Sequence, residues 1–223
     1  MQMTFGDIVN PVATLIAAFA GAWFAFIYQN QQKVAEELRQ NISAGNRALV
    51  TLFQQANSLK LYQTDIIGPH RNSPGRHIQI RPTLPFHEDS LKFEIKSLDF
   101  LLLPKSAQVV LDLILEEARY SEAIKTINAR SKHHISIIQP KLESAGFVEG
   151  MEYTDKALKN VLGELDYLHL KRLTDAVVMH VDRTVDSLVS MKDRLRTALT
   201  EKYPKAKFIN FELLNEPPKS IFT

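Results

Sequence analysis

The chain has 223 residues and a formal net charge of +2, so it lacks the strong charge imbalance of proteins that bind nucleic acid through bulk charge. It contains no cysteine, which excludes disulfides, cysteine-ligated zinc and thiol catalysis. Its apolar fraction of 45% is ordinary for a folded protein. Because helical periodicity dominates, we predict an all-α protein: an N-terminal transmembrane helix continues into a long cytoplasmic helix, which packs with further long helices in a bundle.

Residues 11–28 are uncharged and contain one polar side chain, Thr14, so they predict a transmembrane helix. Eighteen helical residues span about 27 Å, close to the hydrocarbon thickness of a bilayer. Residues 1–10 contain no lysine or arginine, which favours a retained anchor over a cleaved signal peptide. Basic residues follow the stretch at Lys33, Arg39 and Arg47 and predict a membrane protein with residues 1–10 outside and the C-terminal domain in the cytoplasm. If the anchors of several subunits enclosed a channel, the charged side chains nearest to its cytoplasmic end would be Lys33, Glu36, Glu37 and Arg39.

Small and apolar residues along the long helix predict a homo-oligomer. Within the anchor, small residues recur at four-residue intervals, which lets helix backbones approach closely in lipid. Further along, apolar residues alternate three- and four-residue spacings, which is typical of a heptad seam. The predicted contact positions are Ala13, Ala17, Gly21, Ala25, Ala35, Leu38, Ile42, Leu49 and Leu52. The alternative partner for the seam is a later helix of the same chain.

The rest of the chain is predicted to form a juxtamembrane helix over 29–65, a Pro-rich basic loop over 66–90, a helical bundle over 91–203 and a tail over 204–223. Anionic lipid, RNA and a protein are candidate partners of the basic loop, and a solvated linker is the alternative. Within the bundle we predict helices over 91–103, 105–138 and 154–202. The last helix carries an apolar stripe with a period of 3.6 residues. Its members are Leu162, Leu165, His169, Leu173, Val177, His180, Thr184, Leu188, Met191, Leu195 and Ala198.

Histidines are the main candidates for chemistry. His134, His169 and His180 fall on predicted apolar stripes, and three imidazoles could bind zinc. A hydrogen-bonded core histidine is the commoner arrangement, so we predict neither a metal nor a cofactor.

Two Arg/His pairs approach the pattern of RNA-cleaving HEPN domains, in which four to six residues separate the two side chains. Arg71 and His77 have this spacing, but Pro74 and Gly75 interrupt the helix that the pattern requires. Arg130 and His134 lie one helical turn apart, one residue short of the pattern. We therefore predict that the protein is not an enzyme, with Arg130, His134, Arg71 and His77 as the residues that would carry catalysis if it were.

An uncharged anchor joined to long helices, together with these two Arg/His pairs, resembles the membrane accessory proteins of type VI CRISPR systems, which act in bacterial defence against phage. The resemblance implies a HEPN-like helical domain, a ring of subunits around a pore and loss of membrane potential on activation. The functional hypothesis is therefore a homo-oligomeric membrane-perturbing or pore-forming effector. A membrane-tethered ribonuclease and a non-enzymatic membrane scaffold or adaptor are the alternatives.

Overall fold

The computed structural model describes residues 5–87, 91–103, 106–148, 151 and 153–213, with side chains described for residues 14 and 15 and from 17 onward in those ranges. About 80% of the chain is helical and the described ranges contain no strand, which confirms the all-α bundle. Searched over the described residues, no helix combines the length and the apolarity that crossing a membrane requires. The predicted contact of the Ala13 side chain and the end of the predicted tail, residues 214–223, lie outside the described part.

The chain divides into two compact units, Met1–Ser43 and Ala44–Thr223, and the first helix contributes to both. This helix, α1, runs without interruption from Phe5 to Leu61, so it begins earlier than the predicted start near residue 10. In the first unit every described side chain from residue 14 to residue 40 is exposed. From residue 5 onward, the first unit is therefore a single helix whose described side chains form no core of their own.

In the second unit, two long helices, over residues 107–133 and 164–202, pack against each other and against the end of α1. They are antiparallel, because Arg119 of the first contacts Ser187 of the second, whereas Arg130, further along the first, contacts Thr174, which comes earlier on the second. A smaller apolar cluster lies around Ile138, Leu158 and Leu170. The elements after α1 are a π-turn (Tyr62–Ile67), a 3₁₀ turn (Gly68–His70), α2 (Arg76–Gln79), a 3₁₀ segment (Ile95–Leu101), α3 (Ala107–His133), a second π-turn (His134–Ile138), α4 (Gln139–Ser144), α5 (Asp155–Leu162) and α6 (Glu164–Lys202).

The C-terminal half of the heptad seam on α1 packs inside the chain. Leu49 and Leu52 are completely buried in the main core. Gly45 permits a close approach to α6, since a Cβ atom there would lie 2.7 Å from Cδ2 of Leu199. In this half of the seam, the partner is therefore a later helix of the same chain.

The predicted helix over 154–202 is two helices. Thr154 caps the first of them, because its hydroxyl accepts a hydrogen bond from the Ala157 amide at 3.2 Å. Gly163 then adopts a φ of 81°, which a residue with a side chain rarely adopts, and the helix is interrupted between α5 and α6. The predicted stripe is wrong at Leu165 and His169, which are exposed, because it advances there in four-residue steps that each turn about 40° away from the buried face. Its half-buried members are Leu173, His180 and Ala198, and its buried members are Leu162, Val177, Thr184, Leu188, Met191 and Leu195.

Two other predicted boundaries differ for local reasons. Within the segment 91–103, predicted as an α-helix, only Ile95–Leu101 is helical, and it is a 3₁₀ helix. Its entry is held by side chains of other helices, because Gln55 donates to the Leu91 carbonyl and Glu117 accepts from the Phe93 amide. Pro140 does not end the helix before it, because it lies at the start of α4, where its missing amide proton costs no helical hydrogen bond.

The Pro-rich segment is docked against the bundle over its described part. Arg71 forms a bidentate pair with Asp182 of α6, at 2.6 and 2.8 Å. Arg76 pairs with Asp175 at 2.7 Å, two turns earlier on the same helix. His77 and Ile80 are buried. Much of the predicted basic surface of this loop is therefore engaged inside the second unit rather than free for lipid or RNA.

The extended tail lies against α1 and α6. The ring of Phe211 meets the ring of Phe53 edge to face with centroids 5.1 Å apart, and Lys192 donates to the Phe211 carbonyl at 3.2 Å. The Ile209 amide donates to Asn46 at 3.0 Å. These contacts hold the described part of the tail, up to residue 213, against the second unit.

Replacing Phe211 with alanine is expected to lower the free energy of unfolding by about 1–3 kcal/mol, less than at a fully buried phenylalanine. The loss comes from the ring contacts with Phe53 and Lys192. Chemical denaturation measures it. Ile209→Ala is the control, because Ile209 is 42% exposed and keeps its backbone bond. Equal effects of the two variants would contradict this account of how the tail is held.

Candidate functional site

A fully buried arginine forms the centre of the most unusual part of the second unit. Arg130 lies on α3 with 0% exposure. Its Nε donates to the Thr174 hydroxyl at 3.0 Å, and its Nη2 donates to the carbonyls of His77 at 3.2 Å and Ile80 at 2.5 Å. One guanidinium thus joins α3 to α6 and to the turn at 76–80.

None of the described carboxylates forms an ion pair with Arg130, although burying an unpaired charge is costly. Burial accordingly lowers the pKa of Arg130 from its ordinary value. Its remaining nitrogen, Nη1, is buried without a hydrogen-bond partner among the described residues. The Tyr62 phenol interacts electrostatically with Arg130, because burial raises the pKa of Tyr62 and the charge of Arg130 partly lowers it again.

Two buried imidazoles flank the guanidinium. His77 is 2% exposed and His134 is 8% exposed. Burial lowers the pKa of His77, and burial together with the charge of Arg130 lowers the pKa of His134 to about 4. Both side chains are therefore neutral at pH 7.

Buried polar atoms normally have hydrogen-bond partners, so those that lack them require an explanation. Within the described part of the structure, Nε2 of His77, both ring nitrogens of His134, Nη1 of Arg130 and the Tyr62 hydroxyl have no partner of good geometry. The backbone of Ile78 lies close enough to His134 to favour its charged form, but burial outweighs this effect. We call the four side chains of Tyr62, His77, Arg130 and His134 the buried basic cluster.

Both π-turns of the second unit begin at a member of the buried basic cluster. The first begins at Tyr62 and the second at His134. A single π-helical turn is a rare interruption of an α-helix and occurs frequently at functional sites. Here each turn places a polar ring beside Arg130, and its position could not be predicted from helical periodicity.

A second pair of histidines lies nearer the surface. The rings of His133 and His169 meet edge to face with centroids 4.6 Å apart. Burial and the proximity of His169 lower the pKa of His133. Asp166 lies one turn before His169 and is paired with Lys141 at 2.6 Å. Among the described residues, no group of three histidine or carboxylate side chains is placed to hold a metal ion.

The structure brings together three of the four residues proposed as catalytic candidates. Arg130, His77 and His134 meet in the buried basic cluster, whereas Arg71 is bound to Asp182. A phosphate-binding arginine must present its planar fork to the substrate. Arg130 instead directs its fork to three protein acceptors and is closed to solvent. The geometry therefore gives the buried basic cluster a role in holding segments together rather than in binding substrate.

Sequence reasoning missed a polar network between α3 and α6. Glu116 is 4% exposed, and its Oε1 accepts from Arg119 and from Ser187, both at 2.5 Å. This network borders a groove of about 550 Å³ lined by residues of both helices. One feature of the sequence pointed to this network: helical spacing places Glu116 next to the apolar residues of its own helix, where a charged side chain needs a partner. The lining residues are Ala118, Arg119, Glu122, His180, Arg183, Thr184 and Ser187.

The predicted oligomer contacts divide into exposed and buried members. Ala17, Gly21, Ala25, Ala35 and Leu38 are exposed, and Ile42 is half-buried. Leu49 and Leu52 are in the core of the second unit, as described above. The predicted juxtamembrane charges are all exposed, and Arg39 pairs with Glu36 of its own helix at 2.9 Å.

Neither a protein-family model, nor a curated protein, nor a solved structure matches this chain. The assignment of function therefore rests on the residues and geometry of the chain itself.

Proposed function

We propose that the protein is a membrane-attached homo-oligomer without catalytic activity, in which residues 11–28 insert into a bilayer and the second unit is a cytoplasmic helical domain. The observation that carries this proposal is the exposure of large apolar side chains along α1. Trp23 is 64% exposed, Phe19 76% and Phe24 70%. Soluble monomers rarely expose contiguous apolar surface of this kind, which marks a membrane or protein contact.

Most of the bulky residues lie opposite the small residues on this part of α1, and two bulky residues, Phe24 and Tyr28, lie on the small side. Successive residues of an α-helix are about 100° apart around its axis. On that geometry, the small residues are centred about 200° away from the main bulky group. The bulky group is Leu15, Phe19, Trp23 and Phe26, and the small group is Ala17, Gly21 and Ala25. Such an arrangement supports a helix that presents its bulky side to lipid and its small side to a neighbouring helix.

The finer proposal is that the oligomer perturbs the membrane. It is supported by the resemblance in layout to membrane accessory proteins of bacterial defence systems. Apolar small residues facing a pore axis would give a gate that closes by dewetting, and the charges at residues 33–39 would lie at its mouth. Release of a fluorescent dye from vesicles containing the protein tests this step.

Vesicle flotation tests the membrane attachment. The full chain is expected to float with vesicles of anionic bacterial lipids, whereas Phe19→Ser combined with Phe26→Ser should weaken its partition roughly 100-fold, since two buried phenyl groups contribute about 3 kcal/mol or more. Val34→Ser combined with Leu38→Ser is the matched control, because these residues are exposed on the same helix beyond the stretch. If the unaltered chain stays at the bottom of the gradient, membrane attachment is wrong.

A further inference from the structure

The turn at 76–80 is held to the bundle from within. Its own hydrogen bonds are local, from Ile78, Gln79 and Ile80 to residues at 75 and 76. Its links to the long helices are the bonds from Arg130 of α3 to the carbonyls of His77 and Ile80 and, at the start of the turn, the ion pair of Arg76 with Asp175 of α6. The His77 ring also packs edge to face on Tyr167, with centroids 5.1 Å apart. The position of this turn therefore depends on the state of the buried basic cluster.

We propose that the buried basic cluster is an acid-sensitive latch: protonation of His134 adds a second positive charge beside Arg130 and releases the turn at 76–80 from α3 and α6. The geometry favours this outcome because the cluster lacks a described carboxylate bound to Arg130. Two like charges in a buried environment repel strongly, since the effective dielectric constant there is well below that of water.

The charged groups around each imidazole identify His134 as the sensor. His134 faces Arg130 and His133, both on α3, and only the backbone of Ile78 favours its protonation. His77 faces Arg130 from α3 and Lys171 from α6, which disfavour its protonation. Asp155, the first residue of α5, and Asp175 on α6 favour its protonation. These carboxylates partly compensate a charge on His77, whereas a charge on His134 has no such compensation.

The direction and the pH window follow from linkage. A histidine whose pKa is lowered in the closed state stabilises that state fully above its ordinary pKa of 6.5. The stabilisation is lost as the pH falls from 6.5 to about 4, the pKa of buried His134. At pH 5, the opening equilibrium should be about 30-fold more favourable than above pH 7, if His134 regains its ordinary pKa on opening.

Hydrogen exchange of the full chain in detergent micelles tests the latch. The probe is the Ile80 amide, which bonds to the Arg76 carbonyl at 3.0 Å. After correction for intrinsic exchange, its opening constant should rise about 30-fold between pH 7.5 and pH 5. His134→Leu, which cannot be protonated, should remove most of this rise. His180→Leu is the control, because His180 is half-exposed in the groove between α3 and α6.

Either of two results would overturn the latch. One is an opening constant at Ile80 that does not change between pH 7.5 and pH 5, or that changes equally in His134→Leu. The other can be read from the unaltered chain alone, so it holds even if the variant fails to fold. If core amides around Leu188 of α6 respond to pH as strongly as Ile80 does, acid unfolds the whole unit and no local release occurs.

Discussion

Arg130→Ala is expected to lower the free energy of unfolding of the second unit by about 2–4 kcal/mol, among the largest single effects in the chain. The substitution leaves the buried carbonyls of His77 and Ile80 without their donor and creates a cavity between α3 and α6. Removal of an uncompensated buried charge offsets part of this loss. Chemical denaturation followed by circular dichroism gives the value.

Two further variants separate the causes. Arg130→Met keeps most of the volume without the donors, so its cost reports the lost hydrogen bonds. Arg130→Lys keeps the charge, but a single ammonium group cannot serve three acceptors on two segments in the way the planar guanidinium does. We therefore expect lysine to restore little of the stability. Lys132→Ala is the control, because Lys132 is exposed on the same helix. A loss below about 1 kcal/mol in Arg130→Ala would contradict the structural role of this arginine.

Ala17→Leu combined with Gly21→Leu is expected to dissociate the oligomer. Leucine side chains on the small face would hold neighbouring helices apart, and close backbone packing is the main source of association in lipid. We expect the mass of the detergent-solubilised protein, measured by light scattering, to fall from a discrete oligomer to the monomer. Vesicle flotation should be unchanged, since the variant is more apolar than the unaltered chain.

Ala20→Leu is the volume control for that experiment, because helical geometry places residue 20 off the small face. It should leave the mass unchanged. If the double variant also keeps its mass, the small face does not mediate association. A full chain that is already monomeric would remove the oligomer from the proposal and favour a scaffold or adaptor that uses residues 11–28 for location only.

The sequence was informative where burial follows helical period without interruption. On α3, Val110, Leu113 and Ile124 recur at helical spacing, and all are buried. On α6, the predicted stripe was wrong at Leu165 and His169, because its four-residue steps turn about 40° each away from the buried face. The interruption at Gly163 was not predicted, because a glycine in a helical pattern is compatible with a continuous helix or a break and its conformation depends on tertiary packing.

The candidate site shows the same limit more strongly. The pairs Arg130/His134 and Arg71/His77 were visible as spacings, but spacing does not tell which partners a side chain reaches. The structure places His77 with Arg130 through the turn at 76–80, a contact between residues 53 apart in the chain. Tyr62 and Thr174 join the site from other elements and carried no signal of their own. Such long-range contacts are determined by packing, which local patterns do not describe.

The most direct measurement of the central claim uses Trp23, the single tryptophan of the chain. Trp23 is 64% exposed, so in detergent-free buffer its fluorescence reports contact with water. On addition of vesicles, the account predicts a blue shift of the emission and quenching by lipids brominated on their acyl chains. The chain with Lys33→Ala is expected to behave in the same way. Unchanged emission and no quenching, with the protein folded and vesicles in excess, would contradict membrane insertion of this helix.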